Sequence, residues 1–171
     1  MAEDKESRPA TFDDLLNVVR ALNAEGAEYL LVGGYALFAH GYARGTTDID
    51  ILVPPTGTSA TRVIGALLLL PEKVAAQIDP AWFEEGNTIR VADEFVVDVM
   101  FNACGETYES LLPHAQTIVL DDGTPVRTVD LEGLLKTKRT VRDKDRIDRF
   151  ALERAIAEKA AHGLYVRPAA A

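Results

Sequence analysis

Apolar residues recur at helical spacing from Phe12 through Leu15, Leu16, Val19 and Leu22, after a Thr11 suited to cap a helix and with Asp13 and Asp14 in its first turn. This pattern predicts a helix that stops near Gly26. The pattern then changes period. "EYLLV" (28–32) reads as a buried strand, Gly33-Gly34 as a turn, "YALFAHG" (35–41) as a short helix and "TDIDILV" (47–53) as the next strand, ended by Pro54-Pro55. A loop over 54–61 leads into a helix over 60–70. Strands are predicted at 87–92 and 95–101, joined by a tight hairpin at Asp93-Glu94. A short helix is predicted over 106–115, and a hairpin over 117–129 turning at Asp122-Gly123. From Asp130 to about Ala161 the pattern is helical, with a break near Arg142–Asp143. The expected fold is α+β (α/β), a central mixed sheet of four to five strands flanked by helices. A flexible N-terminus (1–10) precedes a core (11–129), a C-terminal helical region (130–161) packed on it and a flexible tail (162–171).

Composition narrows the classes. With 171 residues, 47% of them hydrophobic, the chain can bury a real core. The longest apolar run, "VIGALLLL" (63–70), is broken by Gly65, closed by Pro71 and far shorter than the ~20 residues of a membrane span. The polar first ten residues lack the features of a secretory signal, so the expectation is a soluble cytoplasmic protein with no membrane partner. The single cysteine, Cys104, can form no intrachain disulfide and is expected to pack as a small hydrophobe. A net charge of −9 argues against sequence-independent coating of nucleic acid. The charge is uneven: residues 1–135 hold 8 Lys and Arg against 22 Asp and Glu, whereas 136–171 hold 10 against 5. Only the C-terminal part is suited to face a polyanion.

The chemistry concentrates on two strands. Alternation puts Asp48 and Asp50 on one face and Ile49 and Ile51 on the other, with the two aspartate Cα atoms ~7 Å apart. Two like charges so placed repel unless a cation lies between them. Asp98, in "FVVDVMF", interrupts six apolar residues, and a buried unpaired carboxylate there is costly. If its strand neighbours that of Asp48 and Asp50, three hard oxygen donors converge, a set suited to Mg²⁺ or Mn²⁺. The bland alternative is an edge strand whose charges discourage aggregation. Gly33-Gly34, between strand and helix, lets backbone N–H groups approach an anion.

Val32-Gly33-Gly34, thirteen further residues and Asp48-Ile49-Asp50-Ile51 together resemble the signature of the DNA-polymerase-β-like nucleotidyltransferase superfamily. With His40-Gly41, Arg44 and Thr46-Thr47 the string is similar to its small bacterial AbiEii-like and MNT-type branch. Lys138, Arg142, Lys144-Asp145 and Asp148 are similar to a later segment of that branch. The resemblance implies a nucleotidyltransferase-like fold and a metal-dependent enzyme that transfers a nucleoside monophosphate from an NTP to an acceptor hydroxyl on an RNA or tRNA end or a protein. It implies Mg²⁺ or Mn²⁺ on Asp48, Asp50 and Asp98, with Asp98 nearest the acceptor. Nucleotide contacts fall to Gly33, Gly34, Arg44, Thr47, Lys138, Arg142 and Lys144. Branch members often form one half of toxin–antitoxin or phage-defence pairs, so a cognate toxin or antitoxin partner is implied as well. A non-catalytic module that binds a partner protein or nucleotide is the rival. For the remaining candidates ordinary roles compete: His40 as a cation on a helix C-terminus, Lys138, Arg142 and Lys144 on a solvated face, Trp82 beside Phe83 in the core.

Overall fold

In a computed structural model of the chain, residues 6–42, 46–138 and 143–161 are described, the backbone only for 143–145, 147 and 161. Helix α1 (Phe12–Ala24) starts on a capping box. The Thr11 hydroxyl accepts from the Asp14 amide while the Asp14 carboxylate accepts from the Thr11 amide. Strand β1 (Leu30–Val32) runs straight into α2 (Gly33–Ala39), followed by β2 (Asp48–Leu52) and α3 (Gly57–Leu67). The Thr56 side chain caps α3 by accepting from Ser59 N, so this helix begins inside the stretch expected to be loop. A 3₁₀ turn (Val74–Gln77) and the one-turn helix α4 (Trp82–Glu85) precede β3 (Ile89–Ala92) and β4 (Val96–Met100). The one-turn α5 (Tyr108–Leu111) and a second 3₁₀ turn (Leu112–His114) lead into β5 (Ala115–Val119) and β6 (Pro125–Val129). Helices α6 (Leu131–Lys136) and α7 (Asp143–Ala161) complete the order.

The fold is α+β, with a mixed sheet flanked by helices. The sheet has six strands in the order β3-β4-β2-β1-β6-β5, one more than the four to five expected. The hairpin of β5 and β6 is not separate. β6 joins β1 in parallel at Leu31↔Thr128, where the Thr128 hydroxyl donates to Leu31 O at 2.7 Å, and so carries β5 into the sheet. β1 and β2 are antiparallel, β2 and β4 parallel, β3 and β4 antiparallel.

Register decides which residues meet. On one face Ile49 lies beside Val97 and Ile51 beside Val99, all fully buried in the core with Leu15, Val19 and Leu22 of α1 and Val63 and Leu67 of α3. The opposite face carries Asp48, Asp50 and Asp98. Within residues 1–10, expected as a flexible N-terminus, Arg8 N donates to Glu94 O in the turn between β3 and β4 and Ala10 N to Thr47 O just before β2, both at 2.9 Å. From the other end of the chain, Leu152 and Ala155 of α7 enter the core. Among the described residues no helix is long and apolar enough to cross a membrane.

Candidate metal and nucleotide site

The parallel pairing of β2 and β4 sets Asp50 directly beside Asp98, and the antiparallel pairing of β3 sets Arg90 beside Asp98 on its other side. Val32, the residue before Gly33, is the antiparallel neighbour of Asp50. One row across four strands therefore reads Arg90, Asp98, Asp50, Val32. Asp48 stands two residues before Asp50 on the same face.

Two carboxylates at adjacent positions, both removed from water, cannot both ionise cheaply. The Asp50 carboxyl is pushed up to about 7, first by burial and then by the charge of Asp98, with Asp48 adding to the rise and Lys138 opposing it. Burial raises Asp98 as well, Arg90 opposing and Asp48 adding. Asp98 Oδ1 is buried without a hydrogen-bond partner among the described residues. Arg90 supplies positive charge at the rim: its Nη2 donates to Asp48 Oδ2 at 3.1 Å, and its Nη1 lies 3.6 Å from Asp98 Oδ2. The guanidinium is more than half exposed, so solvent weakens its hold.

Gly33 is not in a turn between strand and helix, as expected; it is the first residue of α2, and β1 passes into the helix through it. Its φ of +72° produces that abrupt change of direction, and a Cβ there would stand 2.3 Å from Asp50 Oδ2. Only glycine admits the carboxylate so close to the backbone. Gly34 follows it, buried in the first turn of α2.

A scan against protein-family models and a search of curated proteins return no match to this chain.

The other candidates divide by position. Thr47 is exposed and its hydroxyl donates to Asp48 Oδ1 at 3.2 Å; Thr46 donates to the Asp48 carbonyl. Lys138, directly after the C-cap of α6, is buried and pairs through Nζ with Asp148 Oδ2 of α7 at 3.1 Å. Its effect on Asp50 ties this pair to the carboxylate row. Arg44 and Arg142 lie outside the described residues, as does the side chain of Lys144.

Three expectations change. His40 is the C-cap of α2 but not a cation there: burial holds its pKa down, and Nε2 donates to Val129 O at 2.7 Å. Trp82 does not share the core with Phe83; it is 41% exposed, while Phe83 is fully buried edge-on against Phe101. Cys104 is exposed at φ +53°, its Sγ 3.1 Å from Thr137 O. The residue that reading the sequence missed is Arg90. It sits in an alternating strand where an exposed arginine is ordinary, and only strand register shows that it faces two aspartates.

Among the described residues no three His, Cys, Asp or Glu side chains form a ready-made metal cage. The donor chemistry nevertheless fits a hard cation: Asp50 and Asp98 are oxygen donors in register, one buried oxygen lacks a partner, and Arg90 already brings positive charge to Asp48 and Asp98.

Proposed function

We propose that the protein is a metal-dependent nucleotidyltransferase that moves a nucleoside monophosphate from an NTP to an acceptor hydroxyl, with pyrophosphate leaving. The observation that carries this reading is the register pairing of Asp50 with Asp98 beside Asp48, a half-buried set of three carboxylates on one sheet face whose mutual repulsion a cation would relieve. The resemblance of Val32-Gly33-Gly34 and Asp48-Ile49-Asp50-Ile51 to the polymerase-β-like superfamily supports it, and with it a nucleotidyltransferase-like fold.

Mg²⁺ or Mn²⁺ on Asp48, Asp50 and Asp98 would supply Lewis-acid stabilisation of the attacking and leaving oxygens. The chain's own residues do the rest. The backbone of Gly33 and Gly34, at the start of α2, would face the phosphates; Lys138, with Arg44, Arg142 and Lys144, would supply positive charge for the triphosphate; Asp98 would accept the acceptor's proton. The acceptor oxygen bonds to the α-phosphorus as the bond from that phosphorus to the bridging oxygen breaks. An RNA or tRNA end, or a protein hydroxyl, is the acceptor class, and a toxin–antitoxin or phage-defence pairing is the setting the resemblance suggests. One observation favours a second reading: Arg90 already pairs with Asp48 and Asp98, as it would in a non-catalytic module that only binds a partner.

Incubation with labelled NTPs, Mg²⁺ and cellular RNA or lysate separates the two. Transfer lost in Asp48→Ala and Asp50→Ala supports the enzyme. Unchanged NTP and no labelled acceptor favour the module. Mn²⁺ should also raise the thermal midpoint of the wild type through linkage and leave Asp48→Ala unmoved; equal shifts would remove the site.

A further inference from the structure

Beside the carboxylate row, α4, the segment after it and the start of β3 border an open surface cavity of about 270 Å³ lined by Trp82, Glu85, Asn87, Thr88, Ile89 and Arg90. It lies at the small end of ligand sites, which run ~300–1,000 Å³, and suits one ring system better than a whole nucleotide. Its lining is chemically specific. The partly exposed indole of Trp82 offers a stacking face. Glu85 can accept hydrogen bonds but not donate them, and Asn87 can do both. Arg90 belongs to this cavity and to the row, through Asp48 and Asp98.

We infer that this cavity binds a nucleobase carrying an exocyclic amino group, stacked on Trp82 and read by Glu85 and Asn87, with Arg90 linking it to the carboxylates. Glu84 and Glu85, both exposed on α4, would repel a run of phosphates, so it is the base and not the phosphate chain that enters. Adenine, cytosine and guanine present an exocyclic amino donor to Glu85, whereas uracil has only its ring N3–H to offer. The base belongs either to the NTP or to the terminal nucleotide of a single-stranded acceptor. The inference rests on the nucleotidyltransferase reading for its place in catalysis, but binding tests it separately.

Trp82 is the only tryptophan, so its emission reports on this cavity alone. With Mg²⁺ present, titration with ATP or CTP should quench it saturably, UTP should act several-fold more weakly, and inorganic tripolyphosphate should have no effect. Quenching by a short single-stranded RNA but not by NTPs assigns the base to the acceptor; the converse assigns it to the NTP. Glu85→Ala should erase the preference over uracil. In equilibrium dialysis Trp82→Ala should weaken binding about tenfold or more, and Trp82→Phe should restore most of it. Equal quenching by tripolyphosphate, or none by any base-bearing ligand, overturns the proposal. If Mn²⁺ still stabilises wild type but not Asp48→Ala, such a failure leaves the nucleotidyltransferase reading standing. If bases quench while Mn²⁺ stabilises neither, the cavity stands and that reading falls.

Discussion

Gly33 and His40, at the two ends of α2, show how one side chain can set a site or a pH limit. At Gly33 two costs coincide, the positive φ and the approach of Asp50 Oδ2. At Gly123, with φ +88°, a Cβ would meet nothing within 4 Å, so only the first cost applies. Gly123→Ala should therefore lose about 1–2 kcal/mol of stability from backbone strain, and Gly33→Ala clearly more in the same urea titration. The excess should shrink in an Asp50→Ala background, because the clash has then lost its partner. His40 is held neutral by burial and Lys159, against the Val129 carbonyl and Asp130, which favour its charged form. The unfolded chain therefore binds this proton more readily than the folded one. The stability His40 confers is complete above about pH 6.5 and is lost as pH falls toward its depressed folded value. Urea midpoints measured between neutral and mildly acidic pH should fall more steeply for wild type than for His40→Gln.

Among the elements, α1 depends on its first turn. Asp14 closes the capping box, and its two oxygens accept from Arg8 at 2.6 and 3.0 Å. The Arg8 hydrogen bond first, then the Thr11 amide and hydroxyl, hold the Asp14 carboxyl below its usual range, against burial. Its contribution is present above the ordinary aspartate pKa of 3.8 and is lost as acid takes pH through the depressed value. Asp14→Ala should cost about 1–2 kcal/mol at neutral pH and remove that acid-dependent part, read by thermal melts at neutral and acidic pH. Asp14 and Thr11 were legible as cap and first-turn residues. Arg8 as their partner was not, because nothing local brings a residue upstream of the helix back onto its first turn. The strand containing Asp48 and Asp50 was likewise legible from alternation, while α4 was not: four residues carry too little periodicity to reveal a helix.

Across the whole molecule, Lys138 and Asp148 join α6 to α7 by a buried ion pair, and Leu152 and Ala155 seat α7 in the core. Removing one charge of this pair takes a counter-charge from the other where little water can replace it. Lys138→Met should thus destabilise by about 3–5 kcal/mol, with α7 losing amide-exchange protection first, and Lys138→Met with Asp148→Leu should recover much of the loss. Equal protection throughout α7 in the single variant would show that the pair does not anchor this helix.

The sequence by itself determined the local facts: the α+β class, the face on which Asp48 and Asp50 lie, and the acidic balance of the main part of the chain. These follow from periodicity and charge, which act over a few residues. The tertiary structure decided the rest, because it depends on pairing between distant segments. Parallel pairing of β2 with β4 brought Asp98 to Asp50, β3 brought Arg90 to both Asp48 and Asp98, and β6 fixed the sheet at six strands. Burial, a property of the assembled sheet, raised the Asp50 carboxyl and kept His40 neutral, and it left Trp82 facing a cavity where a core position had been expected.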